Sequence, residues 1–260
     1  QTMFRHQGKS RTFSHNLRIA TLLSFVAGVV NVTGILEIQV LTTNVTGHFA
    51  YFSEQIMEHQ YLAAFAFFVF ILFFLLGAFT SNFIVELVTK TKPEFSHVIP
   101  LSIEIFLLFI IGLFGASADA TNLQGKIIAF TLLFAMGLQN ALVTRISQST
   151  VRTTHLTGLF TDLGIELSQL FFYTQIEEKK KLKRNIFLRV SIITLFFLGC
   201  FVGGLLYQII ALKTLFLGCL FLFIALFYDY FRLKIYYLNR KKNSYLERYE
   251  WNKNINEHNS

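Results

Sequence analysis

Six runs of mostly apolar residues, each close to the length a helix needs to cross a bilayer, limit what this chain can fold into. A helix rises about 1.5 Å per residue, so roughly 20 apolar residues cover the ~30 Å hydrocarbon core. The runs cover 17–36, 61–88, 98–116, 126–143, 186–210 and 214–230. Only 15% of the residues are charged and 53% are hydrophobic, where a soluble domain carries about 25% charged residues. Two Cys and one Trp exclude a disulfide scaffold, and no Cys/His cluster has the spacing of a zinc site. The chain therefore reads as an all-α polytopic membrane protein with the lipid bilayer as its solvent. The first run is too long for a signal-peptide core, and no small-residue cleavage site follows it.

Orientation follows from where the Lys and Arg stand. Arg5, Lys9, Arg11 and Arg18 precede or open the first span with no acid among them. Between the first two spans lie Glu37, Glu54 and Glu58 and no Lys or Arg. Lys90 and Lys92 follow the second span, Asp119 and Lys126 the third, and a run from Arg145 through Arg184 the fourth. Alternating sides in this way predicts six transmembrane helices with both termini cytoplasmic in a bacterial inner membrane. The net charge of +8 is thus an orientation signal, and no nucleic-acid partner is expected.

The chain also repeats itself. Gly28-Val29-Val30-Asn31 in the first span is echoed by Gly137-Leu138-Gln139-Asn140 in the fourth. Thr43-Asn44-Val45-Thr46-Gly47 is echoed in the same order by Thr154-His155-Leu156-Thr157-Gly158. Both echoes come about 110 residues later. The predicted organisation is a basic tail over 1–16, a three-span repeat over 17–116, a second over 117–230 and a polar tail over 231–260. An odd number of spans per unit makes the second copy enter from the opposite side, an inverted repeat of the kind many secondary transporters use. Each Thr-x-x-Thr-Gly box opens a semi-polar segment, read as a half-helix. The alternative makes both segments full crossings, giving eight spans and a parallel repeat.

Asn31 and Asn140 lie within apolar helices, where an unpaired amide costs about 1–3 kcal/mol. The plainer reading is interhelical glue, with Gly28 and Gly137 allowing close approach. The functional reading is a substrate site near the midplane formed by Asn31, Asn44, Thr46, Gly47, Gln139, Asn140, His155, Thr157 and Gly158. Helix starts at the two boxes would aim free N–H groups at an anion or polar solute. Asp162 and Glu166 share one helix face and are candidates for ion or proton coupling. Glu86 and Glu104 are expected to pair with Lys90 or Lys92. No catalytic motif, metal site or cofactor box is present, so the chain is not read as an enzyme.

These motifs carry a resemblance. The first-span Ala-Gly-x-x-Asn, the Thr43–Gly47 box, Met136-Gly137-Leu138-Gln139-Asn140-Ala141 and the Thr154–Gly158 box resemble the YoaK family of bacterial inner-membrane proteins, a domain-of-unknown-function group. Asn31 departs from the acid usual there. The resemblance implies a location and no substrate. The expectation is a small-solute or ion transporter whose small size is compatible with a homodimer. Its competitor is a non-transporting scaffold, sensor or accessory subunit.

Overall fold

The computed structural model describes residues 13–92, 95–115, 123–147 and 151–228. The basic tail before residue 13, the loop carrying Asp119 and the polar tail past 228 lie outside the described residues. No strand occurs among the described residues. The helices are α1 (Phe13–Ile38), α2 (Val45–Met57), α3 (Tyr61–Thr89), α4 (Val98–Phe114), α5 (Leu123–Ile146), α6 (Leu156–Phe172) and α7 (Ile176–Ile210). A 3₁₀ turn (Ala211–Thr214) then leads into α8 (215–228). Each apolar run of the sequence has become a helix, and the two semi-polar segments are α2 and α6.

Four stretches are long and apolar enough to cross a membrane: Asn16–Ile38, Tyr61–Thr89, Leu123–Ile146 and Ile176–Tyr228. With 17 residues, α4 is shorter, and Pro100 is accommodated in its first turn, where no intrahelical N–H is required. The last stretch is not one rod. Ala211 has φ 48°, and both the Gly199 backbone and the Phe221 ring lie against Phe25, so α8 doubles back along α7. It also runs antiparallel to α4, with Phe216 against Gly112 and Cys219 against Ile105.

The interior belongs to α1 and α5, whose apolar windows are 67% and 61% buried, against 22% for α3. Contacts fix the relative directions. Along α1 and α7, Phe13 meets Phe187, Gly28 meets Gly199 and Glu37 meets Tyr207, so the two are parallel. Along α3 and α5, Phe70 meets Phe130, Gly77 meets Phe134 and Glu86 meets Arg145, so these are parallel too. Between α1 and α5 the order reverses: Leu23 meets Gln139 and Gly34 meets Leu132. Finally, α2 is antiparallel to α3, with His48 beside Phe70 and Tyr51 beside Phe67.

Both parallel pairs cross at glycine. A Cβ on Gly28 would meet the Phe196 carbonyl, and one on Gly199 the Phe25 carbonyl. A Cβ on Gly77 would meet the Phe134 carbonyl, and one on Gly137 the Phe74 carbonyl. Backbone touches backbone at each crossing, the approach that small residues permit between membrane helices. The outer faces carry large apolar side chains, among them Phe65, Phe79, Phe83, Phe106, Phe197 and Phe201. An apolar surface this extensive would associate in water and is solvated in lipid. The molecule is a membrane-embedded helical protein.

Candidate functional site

The site begins with two returns of the chain. After α1, Gln39 takes φ 55° and the Val40 N–H donates to the Gly34 carbonyl, the left-handed stop that ends many helices. The loop then folds back against α1 at Gly34, where a Cβ would strike the Thr42 methyl. Thr43 is thereby delivered to Asn31, whose Oδ1 accepts from the Thr43 hydroxyl at 2.9 Å and from its N–H at 3.3 Å. The second return closes in the same way: the Thr154 hydroxyl donates to Asn140 Oδ1 at 3.1 Å. In each case the next helix starts two residues on. Asn44 caps α2, accepting from the Gly47 N–H at 3.0 Å, and His155 occupies the same position before α6 without making a side-chain cap bond. Both glycines lie under the cap side chain: a Cβ on Gly47 would crowd Asn44, and one on Gly158 would overlap the His155 ring.

These parts surround a cavity of about 920 Å³. Of the residues expected from the sequence, Asn31, Asn44, Thr46, Gly47, Asn140, His155 and Thr157 line it. Gly158 borders a smaller cavity of about 350 Å³, as do Arg152, His155, Asp162, Asn185 and Arg189. Gln139 is not brought to the cavity. It is buried between helices, with Nε2 donating to the Leu23 carbonyl of α1 at 3.1 Å, so it joins α1 to α5. Asp162 and Glu166 do share a face, and Arg189 of α7 lies across from it. Arg189 Nη1 reaches the Glu166 oxygens at 2.7 and 2.8 Å, and Nη2 reaches Asp162 at 3.1 Å.

Several partners were not legible in the sequence. Glu86 pairs with Arg145 at 2.6 Å, not with Lys90 or Lys92, and the Tyr207 hydroxyl donates to Glu37. These two polar pairs latch the α3/α5 and α1/α7 crossings, each near one end. Phe74 and Phe196, whose carbonyls receive Gly137 and Gly28, also line the large cavity. Arg152 lines both cavities. His48 is buried in α2 with Nε2 on the Leu41 carbonyl at 2.7 Å, so it props the first return. Among the described residues no group of three or more His, Cys, Asp or Glu is placed to hold a metal.

A membrane-embedded bundle in which two shorter helices start at an interior polar cavity is the class of protein that these features define. Residues 19–228 match a family described as a protein of unknown function (DUF1275), and the chain belongs to that family. No curated protein and no solved structure matches it.

Proposed function

We propose that this protein is a small-solute or ion transporter of the bacterial inner membrane, of the YoaK kind, with its substrate site in the 920 Å³ cavity. In this reading six crossings form two inverted three-span halves. The observation that carries it is the composition of the cavity wall, to which Asn31, Thr43 and Phe196 contribute alongside Asn140, Thr154 and Phe74. These are corresponding residues of the two repeats, so the site lies where the halves meet. The inverted arrangement is supported by the reversal between α1 and α5, the first long helix of each half.

Direction also supports a half-helix at α2 over a full crossing. It is antiparallel to α3, α3 is parallel to α5, and α5 opposes α1, so α2 runs the same way as α1. The chain leaves along α1, returns to the level of Asn31, and leaves again along α2. A full crossing after α1 would have to run the other way. Asp162 and Glu166 are kept as the coupling residues in this proposal, with Arg189 as the cation that competes with a proton for them.

The test is the double variant Asn31→Leu with Asn140→Leu. Removing each Asn oxygen leaves the facing Thr hydroxyl without its acceptor, at about 1–2 kcal/mol per site, which a folded bundle tolerates. Proteoliposomes of the parent chain, loaded from a mixed metabolite extract and read by mass spectrometry, are expected to accumulate at least one solute. The double variant should lose that uptake by more than tenfold, and Gln139→Leu should keep it. Loss of the folded state in the double variant, or unchanged uptake, contradicts the proposal.

A further inference from the structure

The cavity's wall has a one-sided charge. Resting on the reading of this cavity as the substrate site, we infer that it is built for an organic anion of single negative charge, with Arg152 as its counter-charge. Arg152 is the only formally charged residue among the described lining of the large cavity, which contains no Asp or Glu. Among the described residues Arg152 makes no ion pair, whereas Arg145 is taken by Glu86 and Arg189 by Glu166 and Asp162. A guanidinium cannot lose its charge at any physiological pH. An unpaired one beside a half-open cavity is a fixed positive charge that an anion in the cavity would answer.

Three further observations agree on sign and shape. The first is Asn31, only 7% exposed. Its Oδ1 is already occupied by Thr43, and its amide N–H groups donate to nothing among the described residues. It therefore offers the cavity donors and no free acceptor. The second is the start of α6, a 17-residue helix whose N-cap His155 makes no side-chain cap bond. Among the described residues the first turn of α6 thus has no side-chain cap, and Leu156 and Thr157, at the positive end of the helix, line the cavity. Its counterpart α2 is capped by Asn44, so the anion-binding end is the Arg152 side of the cavity.

The third observation is the apolar part of the lining, to which Leu41, Val45, Phe74 and Phe196 contribute. An inorganic anion would leave this part wet, and the volume falls in the range of about 300–1,000 Å³ typical of small-molecule sites. Arg152 and His155 also border the smaller cavity, so the negative charge is met where the two spaces adjoin.

The test uses the purified chain and three probes of similar size: benzenesulfonate, neutral benzenesulfonamide and phenyltrimethylammonium. The sulfonate is permanently charged and does not leak across lipid as a neutral acid. Binding is read as a concentration-dependent rise in melting temperature in detergent, and flux as counterflow of labelled probe in proteoliposomes. Benzenesulfonate is expected to bind, with the other two at least tenfold weaker. Arg152→Gln, with its ligand-free melting temperature unchanged, should weaken sulfonate binding at least tenfold, and Arg152→Lys should recover most of it. Lys180→Gln, outside both cavities, should change nothing.

No sulfonate binding, equal binding of the sulfonamide or the ammonium, or an unchanged Arg152→Gln affinity overturns the inference. Arg152-dependent binding without counterflow keeps the anion site and removes the transport reading. Counterflow of the ammonium probe alone keeps transport and removes the anion site.

Discussion

Replacing Gly28 by alanine is expected to destabilise the protein by about 3 kcal/mol or more, at the upper end of what overpacking costs. The added Cβ would fall on the Phe196 carbonyl, and the Cys200 N and Gly199 Cα lie just behind it. A side chain at that point could rotate away, but a backbone carbonyl in the middle of α7 cannot move without moving the helix. The axes of α1 and α7 must therefore separate, and dispersion contacts fall off steeply over the first ångström of separation. Gly137→Ala is expected to cost a similar amount, because its Cβ would fall on the Phe74 carbonyl in the same way. The control is Gly164→Ala in α6, where nothing lies within 4 Å of the added atom. That change should be neutral or stabilise by up to about 1 kcal/mol through helix propensity. Denaturant titration of the four chains in one detergent checks the series. A Gly28→Ala protein as stable as the parent would mean that the helices do not touch at this crossing.

The second large effect is expected at Arg189. Arg189→Ala leaves Glu166, whose side chain is only 10% exposed, and Asp162 without a cation. Removing one partner of a buried pair costs about 3–5 kcal/mol. The 22% exposure of Arg189 lets water screen part of that, so about 2–3 kcal/mol is expected. The two carboxylates should not cost the same. Asp162 is 53% exposed, so Asp162→Asn should cost under about 1 kcal/mol. Replacing both members of the buried pair, Arg189→Met with Glu166→Met, should be milder than Arg189→Ala, since no charge is then stranded. Melting temperatures of these variants give the comparison directly. A double variant less stable than Arg189→Ala would show that the ion pair itself, and not the stranded charge, governs stability at this position.

These two sites show why some of the molecule was legible in the sequence and some was not. Gly28 and Gly137 stood out because each precedes an Asn by three residues in an apolar run, and local spacing carries that signal. Gly199, which lies against Gly28, and Gly77, which lies against Phe134, carry no such mark. Each lies in a Phe-rich span with no motif around it, and only the crossing of distant helices gives it a role. The Thr-x-x-Thr-Gly boxes were legible as helix starts because capping is local chemistry, and both do start helices, α2 and α6.

The basic residues were the opposite case. Arg145, Arg152 and Arg189 look alike in sequence, and the first two served only as orientation signals. In the fold Arg145 closes a crossing, Arg189 neutralises two acids, and Arg152 is left facing a cavity. Which base finds an acid depends on which helices lie side by side. Gln139 shows the same limit in reverse. It neighbours Asn140, but successive residues on a helix point about 100° apart, so one reaches the cavity and the other reaches α1.

The central claim is that two inverted halves meet at one cavity, and side-specific thiol labelling tests it most directly. Cys200 and Cys219 would first be replaced, and single cysteines then placed at Gln60, between α2 and α3, and at Lys180, early in α7; both positions are exposed. In intact cells Gln60→Cys should react with a membrane-impermeant maleimide, and Lys180→Cys should react only after permeabilisation. If both are protected until the membrane is opened, α2 crosses the bilayer, the repeat is parallel, and the cavity no longer lies between inverted halves.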